Sequence, residues 1–80
     1  MQLLTETSIP DVAAFKSAFD ADAERRMNAG LTLLQMWRAA DNDTQVLCLF
    51  KVNDRARAQN WMDSESAGDA NFSGRFLDTM

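Results

Sequence analysis

The residues of this chain whose types suit chemistry lie in a few short stretches. Trp37, on an apolar run with Gln35 and Arg38 beside it, has the flat face needed to hold an aromatic molecule by offset stacking, with two polar side chains to orient it. A tryptophan at the end of such a run more often serves core or interface packing. Asp20, Asp22 and Glu24 form an acidic group that could share a proton or hold a hard cation. Lys16, Arg25 and Arg26 are close enough to neutralise them, so they read as a solvated helix face. Asp41-Asn42-Asp43 resembles the start of a calcium loop but lacks the glycine and the distal glutamate.

The absences are more decisive. There is no histidine and no tyrosine, and Cys48 is the only cysteine. Ser-His-Asp and Cys-His catalysis are therefore excluded, as are a histidine-ligated haem and the usual nitrogen and sulfur shell of zinc. Cys48 lies inside Val46-Leu47-Cys48-Leu49-Phe50, where a buried, unreactive thiol is expected rather than a nucleophile. The three glycines are too dispersed to build a phosphate loop or a nucleophile elbow. We therefore assign no catalytic residue, no cofactor and no metal ligand.

Charge excludes further classes. With a formal net charge of -4 and no basic run longer than Arg25-Arg26, the chain lacks the footprint that displaces counterions from nucleic acid or anionic lipid. No apolar stretch approaches the roughly 20 residues of a membrane span. Residues 1 to 9 do not read as a secretory signal, so a soluble cytoplasmic protein is expected.

At 80 residues, 46% of them apolar, the chain has the size and composition of a single globular domain spanning 1–80, near the lower limit for a self-sufficient core. Residues 2 to 9 read as a strand ending at Pro10, and Asp11 caps a helix starting near Val12. Val12, Phe15, Phe19, Ala23 and Met27 recur at spacings of three and four, predicting one apolar face and a helix that runs to Ala29 before a left-handed stop at Gly30. Lys16 with Asp20, and Asp22 with Arg26, are spaced as i,i+4 pairs. Leu31 to Ala39 and Gln45 to Val52 form a hairpin around Ala40 to Thr44. Asn53 or Asp54 then caps a second helix whose Ala58, Trp61 and Met62 share a face and which frays by Ser66. Residues 67–74 read as a loop and 75–80 as a short edge strand. The order strand, helix, strand, strand, helix, strand predicts an α+β fold of ferredoxin-like βαββαβ type, an antiparallel sheet with two helices on one face.

A sheet wet on one side should alternate apolar and polar residues. Here Leu33, Leu34, Met36 and Trp37 occupy both faces of one strand, and Val46 to Phe50 do so without interruption on the next. Two helices cover one face only, so a homodimer is expected to bury the other. If the turn pairs Asp41 with Thr44, Trp37 falls opposite Cys48 and Gln35 opposite Phe50; a loop of different parity reshuffles the faces.

Phe15-Lys16-Ser17-Ala18-Phe19-Asp20, Ala29-Gly30-Leu31, Trp37 through Asp43 and Val52 through Ala58 together resemble the pattern of the dimeric α/β-barrel superfamily, which includes the antibiotic-biosynthesis monooxygenase-like proteins. The resemblance covers most of the chain and thins after Trp61. It implies two sheets packed face to face into a barrel. Its haem-degrading members rely on histidine, which this chain lacks, and fold analogy does not choose among the remaining activities. The expectation is a small dimeric binding or accessory module for a small apolar or aromatic ligand or a protein partner. The alternative is a cofactor-independent oxygenase or isomerase acting on an aromatic or polyketide-like substrate. Gln35, Trp37, Arg38, Cys48 and Phe50 are the candidate ligand-pocket or dimer-interface residues.

Overall fold

The structure is a computed structural model describing residues 1–80. The chain runs β1 (Gln2–Ser8), α1 (Val12–Ala21), α2 (Ala23–Asn28), β2 (Leu31–Ala39), β3 (Asn42–Val52), α3 (Arg55–Gly68) and β4 (Ser73–Leu77). The four strands lie in the order β2-β3-β1-β4, and every neighbouring pair is antiparallel. The helices pack on one face of this sheet, as in a ferredoxin-like fold. The sheet is open, with β2 and β4 as its edges. No helix is long and apolar enough to cross a membrane.

Local signals set the helix starts. Asp11 has extended backbone, and its carboxylate accepts from the amides of Ala13 (2.9 Å) and Ala14 (3.3 Å), two of the donors a helix start leaves unpaired. Asp54 does the same for α3 through the Arg57 amide at 3.1 Å. Gly30 sits at φ +73°, the left-handed stop anticipated from the sequence.

The expected single helix to Ala29 is instead two, broken at Asp22. There the Asp22 amide is shared between the carbonyls of Ala18 and Phe19, each at 3.2 Å. α2 turns a charged side chain inward in place of the apolar one expected. Met27, expected on the apolar face, is 68% exposed, while Arg26 is only 7% exposed. The expected Asp22–Arg26 pair does not form; Asp22 pairs with Arg25 at i,i+3, whereas the Lys16–Asp20 pair forms at 2.9 Å.

The hairpin register also departs from expectation. The turn closes between Ala39 and Asn42, and Asn42 Oδ1 accepts from the amide and hydroxyl of Thr44, which bends the start of β3. A second irregularity inserts Leu34 between Leu33 and Gln35. The bulge at Leu34 and the offset at the turn shift the pairing, so Trp37 faces Leu47 and Gln35 faces Leu49, while Met36 faces Cys48 and Leu33 faces Phe50.

The core lies between sheet and helices. Leu3, Leu31, Val46, Cys48 and Phe50 from the strands meet Ala29 and the α3 residues Ala58, Trp61 and Met62. The final strand begins at Ser73, earlier than the expected Arg75, and Gly74 explains its close approach: a Cβ there would lie 2.6 Å from Met62 Sδ.

Candidate functional site

Between the helices and the sheet lies a partly open cavity of about 550 Å³. Its apolar wall is a row of aromatics drawn from four parts of the chain. Phe15 and Phe19 on α1 have ring centroids 5.6 Å apart; Phe19 lies 6.4 Å from Phe50 on β3; Phe50 meets Trp61 on α3 edge-on at 5.7 Å; Trp61 meets Phe72, just before β4, in the same way at 5.7 Å. All five rings line the cavity. Helical spacing on α1 and strand alternation on β3 bring them together, since Phe50 shares its sheet face with Val46 and Cys48.

Polar groups enter this wall at a few points. Thr5 on β1, directly opposite Cys48, is 5% exposed and lines the cavity floor. Thr7 donates to Asp69 at 2.8 Å, and Asp69 also accepts from the Asn71 amide at 2.9 Å, which ties β1 to the chain beyond α3. Arg25 pairs with Asp22 at 2.9 Å and with Glu65, linking α2 to α3. The Trp61 indole Nε1 is buried without a hydrogen-bond partner, a condition that costs about 1–3 kcal/mol.

Arg26 is the unusual member. Its Nη1 donates to the Phe19 carbonyl at 2.6 Å, and its guanidinium carbon lies 3.4 Å from the centroid of the Phe19 ring. Burial pulls its pKa below the ordinary arginine value; Asp22, and then Cys48 and Asp20, oppose that shift. It remains a cation, because no protein environment deprotonates arginine at neutral pH.

Burial also pushes the Cys48 thiol up to about 11, against the opposing pull of Thr5 and Arg26. At neutral pH the group is a protonated thiol with no nucleophilic role. No cluster of three or more cysteine, aspartate or glutamate side chains converges in a way that could hold a metal ion.

The five residues singled out from sequence do not form one site. Cys48 and Phe50 face the helices and line the cavity. Gln35 and Trp37 face the other side, where Trp37 is 44% exposed. Arg38 pairs with Val46 but is exposed and lies outside the cavity lining. The cavity instead recruits Arg26, Trp61 and Phe72. Trp61 was legible as core; Arg26 had a signal in its spacing, since positions 15, 19, 22 and 26 recur at four, three and four.

The opposite sheet face carries rows that cross all four strands. Gln35, Leu49, Leu4 and Arg75 form one row, and Trp37, Leu47, Glu6 and Ser73 the next. Glu6 accepts from Gln45 within this face. Leu4, Leu47 and Leu49 are half-buried without any covering element.

No protein-family model, curated protein or solved structure matches this chain.

Proposed function

We propose that this domain is a small-ligand-binding module that takes a compact apolar or aromatic molecule between its helices and sheet and pairs with a second copy through the open sheet face. The observation that carries the reading is the cavity of about 550 Å³ walled by Phe15, Phe19, Phe50, Trp61 and Phe72. Its size falls in the range of ligand pockets, and its lining of apolar surface with a few fixed polar groups is the composition such pockets have. Binding is favoured over catalysis because the acidic groups in the lining are already committed: Asp22 and Glu65 to Arg25, and Asp69 to Thr7. The one thiol is held protonated. An oxygenase or isomerase would need a free titratable group beside its substrate.

The homodimer is supported by the half-buried leucines and the exposed Trp37 on the face without helices, an arrangement that a second sheet packed against it would cover. The ligand reading is tested by titrating the protein with 2-naphthamide, a flat neutral probe, while following backbone and indole amide resonances. Shifts confined to the residues around Phe19, Phe50, Trp61 and Phe72 are expected. Shifts centred on Trp37 and Leu47 would overturn it, as would failure of both this probe and its charged analogues to bind.

A further inference from the structure

We infer that the ligand of this cavity is a monoanion, an aromatic or apolar body bearing one carboxylate that docks on Arg26; the inference rests on the cavity being the binding site. Three observations support it. First, Arg26 is the only buried cation of the chain. Lys16, Arg25 and Arg57 pair with Asp20, with Asp22 and Glu65, and with Asp54 respectively, while Arg38, Lys51, Arg55 and Arg75 are exposed to water. No carboxylate, the neighbouring Glu24 included, lies within ion-pair distance of Arg26; the acids whose charge acts on it, Asp22 and Asp20, are held by Arg25 and Lys16.

Second, most of its donors are idle. A guanidinium has five N–H groups in a fixed fork, and the Arg26 side chain makes a single hydrogen bond, from Nη1 to the Phe19 carbonyl. Removing such a group from water without a counter-ion is costly, and a bound carboxylate would restore both the charge balance and the two-pronged hydrogen bonding that arginine is shaped for.

Third, its placement suits a ligand. Arg26 and the aromatic row line the same cavity, so a body stacked among Phe19, Phe50 and Trp61 brings its charged end to the guanidinium. Asp22, Glu65 and Asp69 also line the cavity, so a dianion such as a phosphate monoester would meet three carboxylates for one free cation.

The test is calorimetry on the full chain with 2-naphthoate, 2-naphthamide and 2-naphthyl phosphate, which share one ring system. Naphthoate should bind at least about tenfold more tightly than the amide and more tightly than the phosphate ester, the size expected from charge-assisted hydrogen bonds. In Arg26→Met the acid should fall to the level of the amide, while the amide changes by less than about threefold. Arg26→Lys, which keeps the charge but loses the fork, should retain part of the preference and guards against a Met variant that fails to fold. Equal binding of acid and amide by the unaltered protein, tighter binding of the phosphate, or a preference that survives in Arg26→Met each overturns the inference while leaving the cavity reading intact. Failure of all three probes to bind overturns both.

Discussion

Arg26 makes both of its close contacts to one residue: its Nη1 donates to the Phe19 carbonyl at 2.6 Å, and its guanidinium lies 3.4 Å above the Phe19 ring. One side chain of α2 is therefore fastened to one residue of α1 across the break at Asp22. The cation is held in place by a carbonyl dipole and a π face, neither of which neutralises it. Arg26→Ala should destabilise the fold by about 2 kcal/mol, the scale of a desolvated cation–π contact together with a charged hydrogen bond. Arg26→Met, which refills the volume without a charge to desolvate, should cost less than Arg26→Ala. Urea denaturation midpoints of the two variants, read with the slope unchanged, check the order.

Cys48 makes the stability of the protein fall at alkaline pH. Its thiol is raised from an ordinary value near 9 to about 11 in the folded chain, so between those values the folded state binds more protons than the unfolded state. Stability is then fully present below pH 9 and declines as pH rises toward 11. Cys48→Ala should flatten that part of the curve relative to the unaltered protein, measured as urea midpoints at pH 8, 9.5 and 10.5. Parallel curves for the two proteins would show that the thiol does not titrate in this way.

Gly30 and Gly68 should respond oppositely to the same change. At Gly30, φ of +73° and a distance of only 3.1 Å from an added Cβ to the Asp54 amide nitrogen predict that Gly30→Ala costs about 1–2 kcal/mol. At Gly68, the last residue of α3, an added Cβ meets nothing within 4 Å, and Gly68→Ala should be neutral or stabilising by up to about 1 kcal/mol. Thermal melts of the two single variants measure both.

Trp37 and Leu47 face one another on the side of the sheet that the helices do not cover. If that side joins two copies, Trp37→Asp or Leu47→Arg should convert a dimer to a monomer in sedimentation velocity at micromolar concentration, with little change in the helix signal. A clean monomer from the unaltered protein removes the homodimer from the proposal.

The order of strands and helices was legible because strand alternation, capping aspartates and glycine stops act over a few residues. Asp11, Gly30 and Asp54 do in the structure what their types indicate. The face of α3 carrying Ala58, Trp61 and Met62 was legible for the same reason. What escaped were a charged residue on an apolar helix face and a shift of strand phase. Arg26 points inward and Met27 outward, a reversal of hydropathy that a pattern of apolar residues cannot signal, although the spacing of Arg26 from Phe15 and Phe19 is helical. The bulge at Leu34 and the bend at Asn42 change the hairpin ladder, and because strand side chains alternate, a single inserted residue is enough to move Gln35 and Trp37 to the other face. Phe72 lies in the connection between α3 and β4, where neither a helical nor a strand period applies.

The inserted Leu34 has a practical consequence. By turning Trp37 away from the cavity that holds Trp61, it gives this small protein an independent optical reporter on each side of its sheet. With Trp37→Phe, emission comes from the indole beside the cavity; with Trp61→Phe, it comes from the face proposed to meet a second copy. Ligand capture and self-association can then be followed separately, in the same chain and without an attached dye.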